Sequence, residues 1–504
     1  MLLTTRGQST SARSLPVLFL GFVGSIQLGD PVIASLALVR ATQALAFSPT
    51  TQALAAAIST LALAATVVPA GVVADKLGRR RLLILALLLT AVGDVITAVA
   101  PVPWVYLVGR ALAGIGLGAV FAGSFAFVRD VVTPRVLPAA LGVYAAMCLV
   151  PLFVYMPLGA ALAGTNWRLA FLLIPVVATV AAGLCRLILP MLPPVVVAQS
   201  RQFWGLAVLG VAIVSLLIGV SSVANSLTAP STWIPLTVGV LALGGFGLIE
   251  ARAEFPSFPV GLVKSPLFLV GAIGGFAWNA ATATGQLLSS NLWQYVDGYT
   301  PLAASLRQLP MMAFSIMASL YAGHVIGRGR SAVVVLAIGG VVTTVGLAVT
   351  GLLAPGSDGV WFLLALCVVF FGSGVMTVPQ SQMFIQEAPA EFYGPVTSSR
   401  VSVGQFAYAV GLAGGAAIAS SVTTARLAAD TGQPPSAAAA QVADFIAGDQ
   451  GAAGVVSQYY VSGFTAAMVA FAGVVALCTL VITLLGRRAT AHAMATATAQ
   501  AGHT

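Results

Sequence analysis

The sequence predicts an all-α integral membrane protein with fourteen transmembrane helices. Its 504 residues are 59% hydrophobic and only 7% charged, and its mean hydropathy is +1.02. A soluble protein carries about 25% charged residues, so this composition indicates a chain that lies in a membrane. The apolar residues are gathered into runs long enough to cross a hydrocarbon core of about 30 Å as helices.

Fourteen such runs follow one another along the chain. They lie at about residues 14–38, 52–74, 82–100, 104–128, 137–163, 168–189, 203–224, 233–250, 267–290, 303–326, 331–353, 359–384, 394–421 and 460–486. The even number places both termini on the same side of the membrane. The longest connection, about Thr423 to Tyr459, is predicted to be an outer loop, either a cap over the outer mouth or a tolerated insertion.

The runs divide as six, two and six. We expect residues 1–189 to form an N-terminal six-helix bundle, 190–264 a linker with two lipid-facing accessory helices, 265–486 a C-terminal six-helix bundle, and 487–504 a disordered cytoplasmic tail. A weak internal repeat supports this division. Ala70-Gly71-x-Val73 in the second span is matched by Ala322-Gly323-x-Val325 in the tenth, and each ends the second helix of its half.

The loop between spans 2 and 3 predicts the orientation. Its sequence, Gly71-Val-Val-Ala-Asp75-Lys-Leu-Gly78-Arg79-Arg80-Arg81, carries one acidic and four basic residues. By the positive-inside rule the loop and both termini are cytoplasmic. Most other lysines and arginines fall on the same side, so topology explains the net charge of +9 and no nucleic-acid partner is expected. The first apolar run is too long for the hydrophobic part of a cleaved signal peptide.

Signatures of metal, ATP and redox chemistry are missing from the sequence. The four cysteines are scattered through apolar spans without C-x-x-C or zinc spacing, and the three histidines form no H-E-x-x-H motif. Neither lysine, Lys76 or Lys264, lies in a G-x-x-x-x-G-K-S/T loop. We therefore expect a protein that is not an enzyme and holds no metal or cofactor.

Asp30 is the most informative charged residue inside a span. A charge at the centre of a bilayer costs about 2.5–3.5 kcal/mol, so it is rarely placed there without a role. Gln27 precedes Asp30 by three residues and shares its helix face, and Pro31 frees a backbone carbonyl beside the carboxylate. A carboxyl group in an apolar cavity can exchange a proton near neutral pH, which makes Asp30 a candidate for proton or substrate binding. Alternatively, Asp30 only pairs with a basic neighbour.

Three other charges lie within the spans. Asp94, in the outer part of span 3, is either a second proton site or a residue near the outer interface. Arg110 in span 4 is followed by the small residues Ala113, Gly114, Gly116 and Gly118, which allow close helix packing. Arg307 opens span 10, and we expect its side chain to extend to the outer interface.

Uncharged polar residues are concentrated in span 9 and just beyond it. They include Asn279, Gln286, Asn291 and Gln294. Asn279 and Gln286 are seven residues apart and share a helix face. Exposure of this polar face to lipid would be unfavourable. These side chains therefore either line a cavity or form ordinary hydrogen bonds between helices.

Several of these stretches together resemble the major facilitator superfamily of transporters, in its fourteen-span drug:proton antiporter branch. The loop G-x-x-A-D-x-x-G-R-R-R resembles the family's signature between helices 2 and 3, and the Arg110 segment resembles its span 4 motif. Asp30 matches the family's span 1 acid. Two further segments are similar to family signatures at the starts of spans 6 and 10: Asn166-Trp167-Arg168-Leu-Ala-Phe171-Leu-Leu-Ile-Pro175 and Gly298-Tyr299-Thr300-Pro301.

The resemblance implies a fold and roles for the residues that match. The fold is the major facilitator fold, two six-helix bundles, here with two extra linker helices. Gly71, Asp75, Gly78, Arg79, Arg80 and Arg81 would form a cytoplasmic latch between the halves. Arg110 would tune the protonation of a nearby acid, so the proton-coupling residues would be Asp30, Arg110 and Asp94.

Span 5 departs from the family pattern G-x-x-x-G-P-x-x-G-G. The chain has Val154-Tyr-Met156-Pro157-Leu-Gly159-Ala160-Ala161, in which only the proline clearly remains and Met156 replaces a glycine. Close packing through glycine is therefore partly lost. The candidate substrate-binding residues are Gln27, Asp30, Met156, Asn279, Gln286, Asn291 and Gln294.

The leading hypothesis is a proton-coupled efflux transporter of lipophilic or amphipathic small molecules, of the multidrug type, that works by alternating access. It would be driven by the proton gradient and would lie, as a monomer in contact with membrane lipids, in the cytoplasmic membrane of a bacterium. A dedicated transporter of a lipid or cell-envelope precursor is the alternative. A membrane receptor without transport activity is a third hypothesis.

Overall fold

The computed structural model describes residues 11–47, 49–192, 203–223, 229–447 and 450–501. Within these ranges the chain is almost entirely helical and contains no β-strand. Fourteen helical segments are long and apolar enough to cross a membrane. This confirms the predicted fold class and the number of spans.

Seventeen α-helices are found in the described ranges. Their bounds are α1 Leu15–Ala44, α2 Pro49–Leu77, α3 Arg79–Val99, α4 Pro103–Val131, α5 Leu137–Leu149, α6 Leu152–Thr165, α7 Trp167–Ile188, α8 Phe203–Val223, α9 Pro230–Arg252, α10 Pro266–Tyr295, α11 Pro301–Arg307, α12 Leu309–Gly327, α13 Ala332–Leu352, α14 Val360–Glu387, α15 Tyr393–Thr431, α16 Pro435–Ala447 and α17 Gln450–Ala501.

Local sequence explains where many of these helices begin and break. Asn166, Ser265 and Thr300 cap α7, α10 and α11, each with a side-chain oxygen that accepts a hydrogen bond from a backbone N–H of the first turn. The fifth span divides into α5 and α6 at Pro151, because a proline nitrogen cannot donate to the helical ladder. The tenth span is likewise divided into α11 and α12, just before Pro310.

The spans form two halves that meet along two helix pairs. One hydrophobic core fills α1–α7 and extends to residues of α12 and α15, and a second core fills α10–α17. Between the halves, α2 packs against α15 and α5 packs against α12. We call the end of the bundle that carries residues 76–81 the basic-loop face, and the other end the opposite face. Since consecutive spans alternate in direction, the α4/α5, α12/α13 and α14/α15 connections also lie at the basic-loop face.

The accessory helices differ from the expectation that both face lipid. α9 packs on α8 and leaves large apolar side chains such as Ile234 and Leu241 exposed. α8, in contrast, contacts α2 and α15, one helix from each half. It therefore covers part of the seam between the halves. The predicted boundaries 189/190 and 264/265 lie in the connections on either side of this pair, and the domain division stays a prediction.

The predicted outer loop from about Thr423 to Tyr459 is largely helical, which corrects that expectation. α15 continues to Thr431 and ends at Gly432, whose φ of 69° suits glycine. α16 follows, and its Phe445 packs against Tyr295 and Tyr460 at ring distances of 5.6 and 5.7 Å. The segment is rich in alanine, the strongest helix former, and hydropathy alone does not register that propensity.

The last helix also extends beyond its predicted span. α17 continues to Ala501, whereas the sequence predicts a disordered tail from residue 487. The same alanine-rich composition accounts for this helical backbone. Residues 502–504, and the side chains from residue 488 onward, lie outside the described part of the chain.

Candidate functional site

A buried group of three charges lies inside the N-terminal half. Arg110 of α4 holds the Asp30 carboxylate of α1 with both terminal nitrogens, at 2.8 and 2.7 Å. Its Nη1 also donates to Asp94 Oδ1 of α3 at 2.8 Å. All three side chains are at most 2% exposed. The structure thus brings together the three residues that the sequence proposes for proton coupling, although their coupling role stays a prediction.

The surroundings of this group are mainly apolar and aromatic. The Arg110 guanidinium carbon lies 5.4 Å from the centre of the Phe171 ring, and Phe171 packs edge-on against Tyr106. Ser59 donates a long hydrogen bond of 3.4 Å to Asp30. Asp94 Oδ2 and Arg110 Nε are buried and form no hydrogen bond with any described residue. Few polar groups therefore surround the three charged side chains, which are stabilised mainly by one another.

The charges of the group are not balanced. Two carboxylates and one guanidinium sum to a net charge of −1 when both acids are ionised. The two carboxyl groups also lie beside each other, because both accept a hydrogen bond from Arg110 Nη1. Like charges at short range and burial both disfavour this state, and one bound proton makes the group neutral. The group therefore carries an uncompensated negative charge in an apolar site when both acids are ionised.

The group and the basic loop lie near opposite ends of α4. Arg110 is seven residues from the start of α4 at Pro103, and Asp130 is next to its end. At 1.5 Å per residue, Arg110 and Asp130 are about 30 Å apart along the helix axis. The charge group consequently lies nearer the opposite face, and one continuous helix connects it to the basic-loop face.

The loop residues contact the C-terminal half directly. Asp75 Oδ2 accepts a hydrogen bond of 3.2 Å from the backbone N–H of Gly394, in the first turn of α15. A carboxylate at a helix N-terminus is also favoured by the helix dipole. Gly71 touches the same place, because a β-carbon on Gly71 would lie 2.6 Å from the backbone carbon of Gly394.

The three arginines of the loop differ in their contacts. Arg79 lies 3.5 Å from Asp75 and also pairs with Asp130 at the end of α4. Arg80 donates to the Leu189 carbonyl at 3.2 Å, within its own half. Arg81 is exposed and forms no ion pair within the described ranges. Gly78 has a φ of 85°, which few other residues adopt, and it permits the turn between α2 and α3.

The internal repeat of the sequence corresponds to a repeat of contacts. Gly323 in α12 is the counterpart of Gly71, and it packs against α5, where a β-carbon would lie 2.7 Å from the Pro138 carbonyl oxygen. Gly142 of α5 completes this contact, with Ser319 of α12 as its neighbour. The two matched glycines therefore lie at the two helix pairs that join the halves.

Sequence reasoning missed two residues at the basic-loop face. Tyr393, at the start of α15, is buried between Arg79 and Arg129, whose guanidinium carbons lie 4.9 and 4.6 Å from its ring centre. Asp130 holds Arg79 from the N-terminal half. Asp130 could have been found, because an acidic residue in the last turn of a helix opposes the helix dipole and therefore needs a basic partner. Nothing local in the sequence indicates Tyr393.

The predicted substrate-binding residues divide into groups. Gln27 is buried in α1, one turn before Asp30. Met156 lines a small groove between the halves towards the opposite face, together with Leu36, Leu302 and Leu306.

On α10, two residues face the neighbouring helices α12 and α15. Gln286 donates to Gln308 and accepts from Tyr408, each at 3.2 Å. Asn279 lies against Gly404 of α15.

Two other predicted residues face elsewhere. Asn291 lies beside Tyr460 of α17, and Gln294 donates to Ser290 of its own helix at 2.9 Å. These contacts lie within the C-terminal half and serve its packing. The assignment of all seven residues to the substrate stays a prediction. Arg307 lies at the opposite face, where it donates to the Asp358 carbonyl at 2.8 Å.

Comparison with known proteins agrees with this geometry. A family model described as the Major Facilitator Superfamily matches residues 18–412. An uncharacterised MFS-type transporter of Mycobacterium tuberculosis is 31% identical over 269 residues, which are 52% of this chain and 38% of the relative. The methylenomycin A resistance protein of Bacillus subtilis is 25% identical over 391 residues, 76% of this chain and 82% of that protein. The MFS-type efflux pump MMF1 of Pseudozyma antarctica is 24% identical over 378 residues, 72% and 69% of the two chains.

Solved structures show the same fold. The human organic anion transporter MFSD10 (TETRAN) superimposes with a TM-score of 0.58 at 17% identity, over 94% of this chain and 100% of that one. The Escherichia coli fucose:proton symporter FucP gives a TM-score of 0.53 at 14% identity, over 94% and 97%. The match to the Mycobacterium tuberculosis relative spans only about two fifths of its length, and identities this low between structures establish the fold alone. The family match, the relatives and the fourteen-span fold together show that the chain is a multi-pass membrane protein of the Major Facilitator Superfamily, a family of transporters and not of enzymes.

Proposed function

We propose that the protein is a proton-coupled exporter of lipophilic or amphipathic small molecules that works by alternating access. The buried Asp30–Arg110–Asp94 group carries this proposal, because it combines an odd number of charges with an apolar environment. Such a group changes its net charge when one proton binds. No cofactor is needed, since the proton gradient supplies the energy.

The proposed coupling depends on how Arg110 is held in the two protonation states. With both acids ionised, Arg110 is shared between Asp30 and Asp94, as its three short hydrogen bonds allow. A proton on either acid weakens that acid's bond to Arg110 and leaves the other pair neutral. The two states thus favour different positions of α1, α3 and α4, and a ligand-driven shift requires such a difference.

Access to the site changes when the halves rock against each other. We assign the closing of the basic-loop face to the Asp75–Gly394 hydrogen bond and to the stack of Arg79, Tyr393 and Arg129, which join the two halves. Loading of a cytoplasmic substrate requires these contacts to break, and release requires them to form again. Rocking of related halves around a central site is the general mechanism of such repeats. The substrate would lie between α1, α6, α10 and α12, near Gln27, Met156 and Gln286.

The relatives support export over import. One is named for resistance to methylenomycin A and another as an efflux pump. The second name states outward transport, and removal of an antibiotic from the cell is one route to resistance. We place the protein in the cytoplasmic membrane of a bacterium, as a monomer, with the basic loop and both termini in the cytoplasm, as the distribution of positive charge indicates.

Reconstitution with a charge-neutralising variant tests the proposal. Purified protein is placed in liposomes that contain a pH-sensitive dye, and ethidium or a neutral amphiphile is added under a pH gradient. We expect substrate-triggered proton movement with the natural chain, and with Asp30→Asn a loss to the level of protein-free liposomes, because Arg110 then has no second carboxylate to exchange with.

Glu254→Gln is the matched control, because Glu254 is an exposed acid in the connection after α9. This variant should behave like the natural chain. Undiminished proton movement in Asp30→Asn, or none with any compound in the natural chain, would exclude proton coupling by this group.

A further inference from the structure

Arg400 of α15 is a charged residue at the seam between the halves that the proposed proton cycle does not use. Its guanidinium carbon lies 4.3 Å from the centre of the Phe125 ring and 5.3 Å from that of Phe121, both on α4 in the other half. Its Nε is buried without a hydrogen-bond partner. Neither terminal nitrogen forms a hydrogen bond or ion pair with any described residue.

The absence of a counter-charge distinguishes Arg400 from the other interior arginines. Arg110 pairs with two acids, and Arg79 pairs with Asp75 and Asp130. Arg400 forms no ion pair with an acidic side chain in the described part of the chain, and the neighbouring Tyr144 hydroxyl and Cys148 thiol are ordinarily neutral at physiological pH. Within the described ranges, therefore, a fixed positive charge lies between the halves without an acid to balance it. Arg400 is half-buried, so its side chain keeps some accessible surface although its Nε is buried.

Arg400 lies where a substrate that enters from the basic-loop face would reach it. Arg400 is seven residues into α15, and Phe125 is six residues from the end of α4. Both counts place the guanidinium about 10 Å inside that face. The latch contacts at Gly394 and Tyr393 lie between Arg400 and the solvent on that side. A molecule that enters between the halves from this face would pass these contacts before it reaches Arg400.

Aromatic and polar groups surround this charge. The Phe121 and Phe125 rings are nearly parallel, with centroids 6.2 Å apart, and Phe125 packs edge-on against Tyr144. The Tyr144 hydroxyl lies 3.0 Å from Ser124 Oγ. One and two turns farther along α15, Gly404 faces Asn279 and Tyr408 bonds Gln286, which are the predicted substrate residues of α10. A polar path thus continues from Arg400 towards the centre of the protein.

We infer that Arg400 is an anion-binding residue that receives the acidic group of an amphipathic aromatic cargo, a carboxylate or sulfonate attached to a ring system. The guanidinium offers unused donors in a planar fork that matches such a group, and the phenylalanine rings offer stacking surface to its apolar part. Because Arg400 belongs to one half and the rings to the other, a bound anion would contact both halves. The inference gives the substrate class of the exporter proposed above. Binding of the anion at Arg400 does not depend on that proposal, whereas transport of the bound anion does.

Equilibrium binding to the full chain in lipid nanodiscs tests the inference. The probes are 2-naphthalenesulfonate, which is permanently ionised, and 2-naphthalenesulfonamide, its neutral counterpart of similar size. We expect the natural chain to bind the sulfonate at least tenfold more tightly than the sulfonamide. Arg400→Gln should weaken sulfonate binding by about 10- to 100-fold, the usual cost of a lost charge-assisted hydrogen bond, and change sulfonamide binding less than twofold.

Two further variants keep the result interpretable. Arg400→Lys retains the charge but not the planar fork, and it should retain part of the preference for the sulfonate. Arg186→Gln removes an exposed arginine near the same face and should change neither affinity. If Arg400→Gln weakens both probes equally, or the natural chain shows no preference, Arg400 serves only to pack the halves together and the inference is wrong.

The outcome is separable from that of the proposed function. Proton movement triggered by ethidium and by 2-naphthalenesulfonate is measured in liposomes reconstituted from the same purified protein. Proton-driven transport of ethidium without any dependence of sulfonate binding on Arg400 would leave the exporter standing and overturn the anion site. Sulfonate binding that depends on Arg400, without proton movement triggered by either compound, would leave the anion site standing and overturn the exporter.

Discussion

Arg110 is the residue on which the N-terminal half depends most. Its side chain is 1% exposed, yet it serves two carboxylates from two helices. A guanidinium can do this because its five N–H donors are fixed in one plane, whereas the ammonium of lysine is a single point of charge. The sequence names Asp30, Asp94 and Arg110 separately, since each is a charge in an apolar run. It does not show that the three side chains contact one another.

Neutralising the members of this group should affect stability unequally. Arg110→Gln leaves two carboxyl groups buried side by side without a cation, and we expect it to cost about 3–5 kcal/mol. Asp94→Asn keeps the Asp30–Arg110 pair with its two hydrogen bonds, and the amide oxygen can still accept from Nη1. We therefore expect a cost of about 1 kcal/mol. Thermal or denaturant unfolding in detergent, followed by circular dichroism, measures the difference.

The double variant Asp30→Asn/Asp94→Asn is the informative control. It leaves Arg110 buried without a counter-charge and should be about as unstable as Arg110→Gln. Equal stability of Asp94→Asn and Arg110→Gln would mean that the three side chains do not share charge as the structure indicates.

At the scale of helices, glycines decide how closely the elements approach. Gly93 of α3 and Gly109 of α4 face each other so closely that a β-carbon on either would overlap backbone atoms of the neighbouring helix. Those contacts lie within one half. Gly71 makes an equally close contact, but between the halves. Adding a methyl group at these two kinds of position should therefore have different consequences.

Gly71→Ala should shift the conformational equilibrium and leave the fold intact. The new methyl group would overlap Gly394, so the closed arrangement of the basic-loop face is penalised while each half is untouched. Spin labels on Arg135 and Arg328, both exposed and on opposite halves at this face, should show a larger fraction of long distances. The measurement is double electron–electron resonance in nanodiscs.

Gly183→Ala is the matched control for this substitution. No atom lies within 4 Å of the β-carbon position at Gly183, inside α7. Alanine there should leave the distance distribution unchanged and raise stability by about 0.5–1 kcal/mol, the usual gain over glycine in a helix. An unchanged distribution in Gly71→Ala would show that the Gly71–Gly394 contact does not control the closed state.

The molecule as a whole is organised by its two matched contacts, α2 with α15 and α5 with α12. α4 connects the charge group to the basic-loop face, because it carries Arg110 near one end and Arg129 and Asp130 at the other. A rigid helix of this length transmits a displacement at one end to the other. This is the physical basis on which proton binding could control access about 30 Å away.

The predicted orientation is open to direct measurement. Single cysteines in a background without native cysteine are placed at Gly356, between α13 and α14, and at Arg328, after α12. In intact cells a membrane-impermeant maleimide should label residue 356 and not residue 328, because positive charge retains the basic-loop face in the cytoplasm. After permeabilisation both should react. Labelling of residue 328 alone in intact cells would invert the topology and turn the proposed exporter into an importer.

The sequence by itself determined the number of spans, the basic loop, the rare interior charges and the family. These properties depend on hydropathy and charge, which can be read from the sequence without knowledge of contacts between helices. Composition misled in two regions, the segment that follows Thr423 and the tail after residue 487, where alanine's helix propensity outweighs the absence of a long apolar run.

Tertiary structure alone decided which residues act together. Asp30 and Arg110 are 80 positions apart, and Asp75 and Gly394 are 319 apart. Contacts over such separations arise from the packing of whole helices, and no local pattern encodes them. For the same reason the sequence could not show that Tyr393 lies between two arginines, or that Arg400 lies on the rings of the other half without an acid beside it.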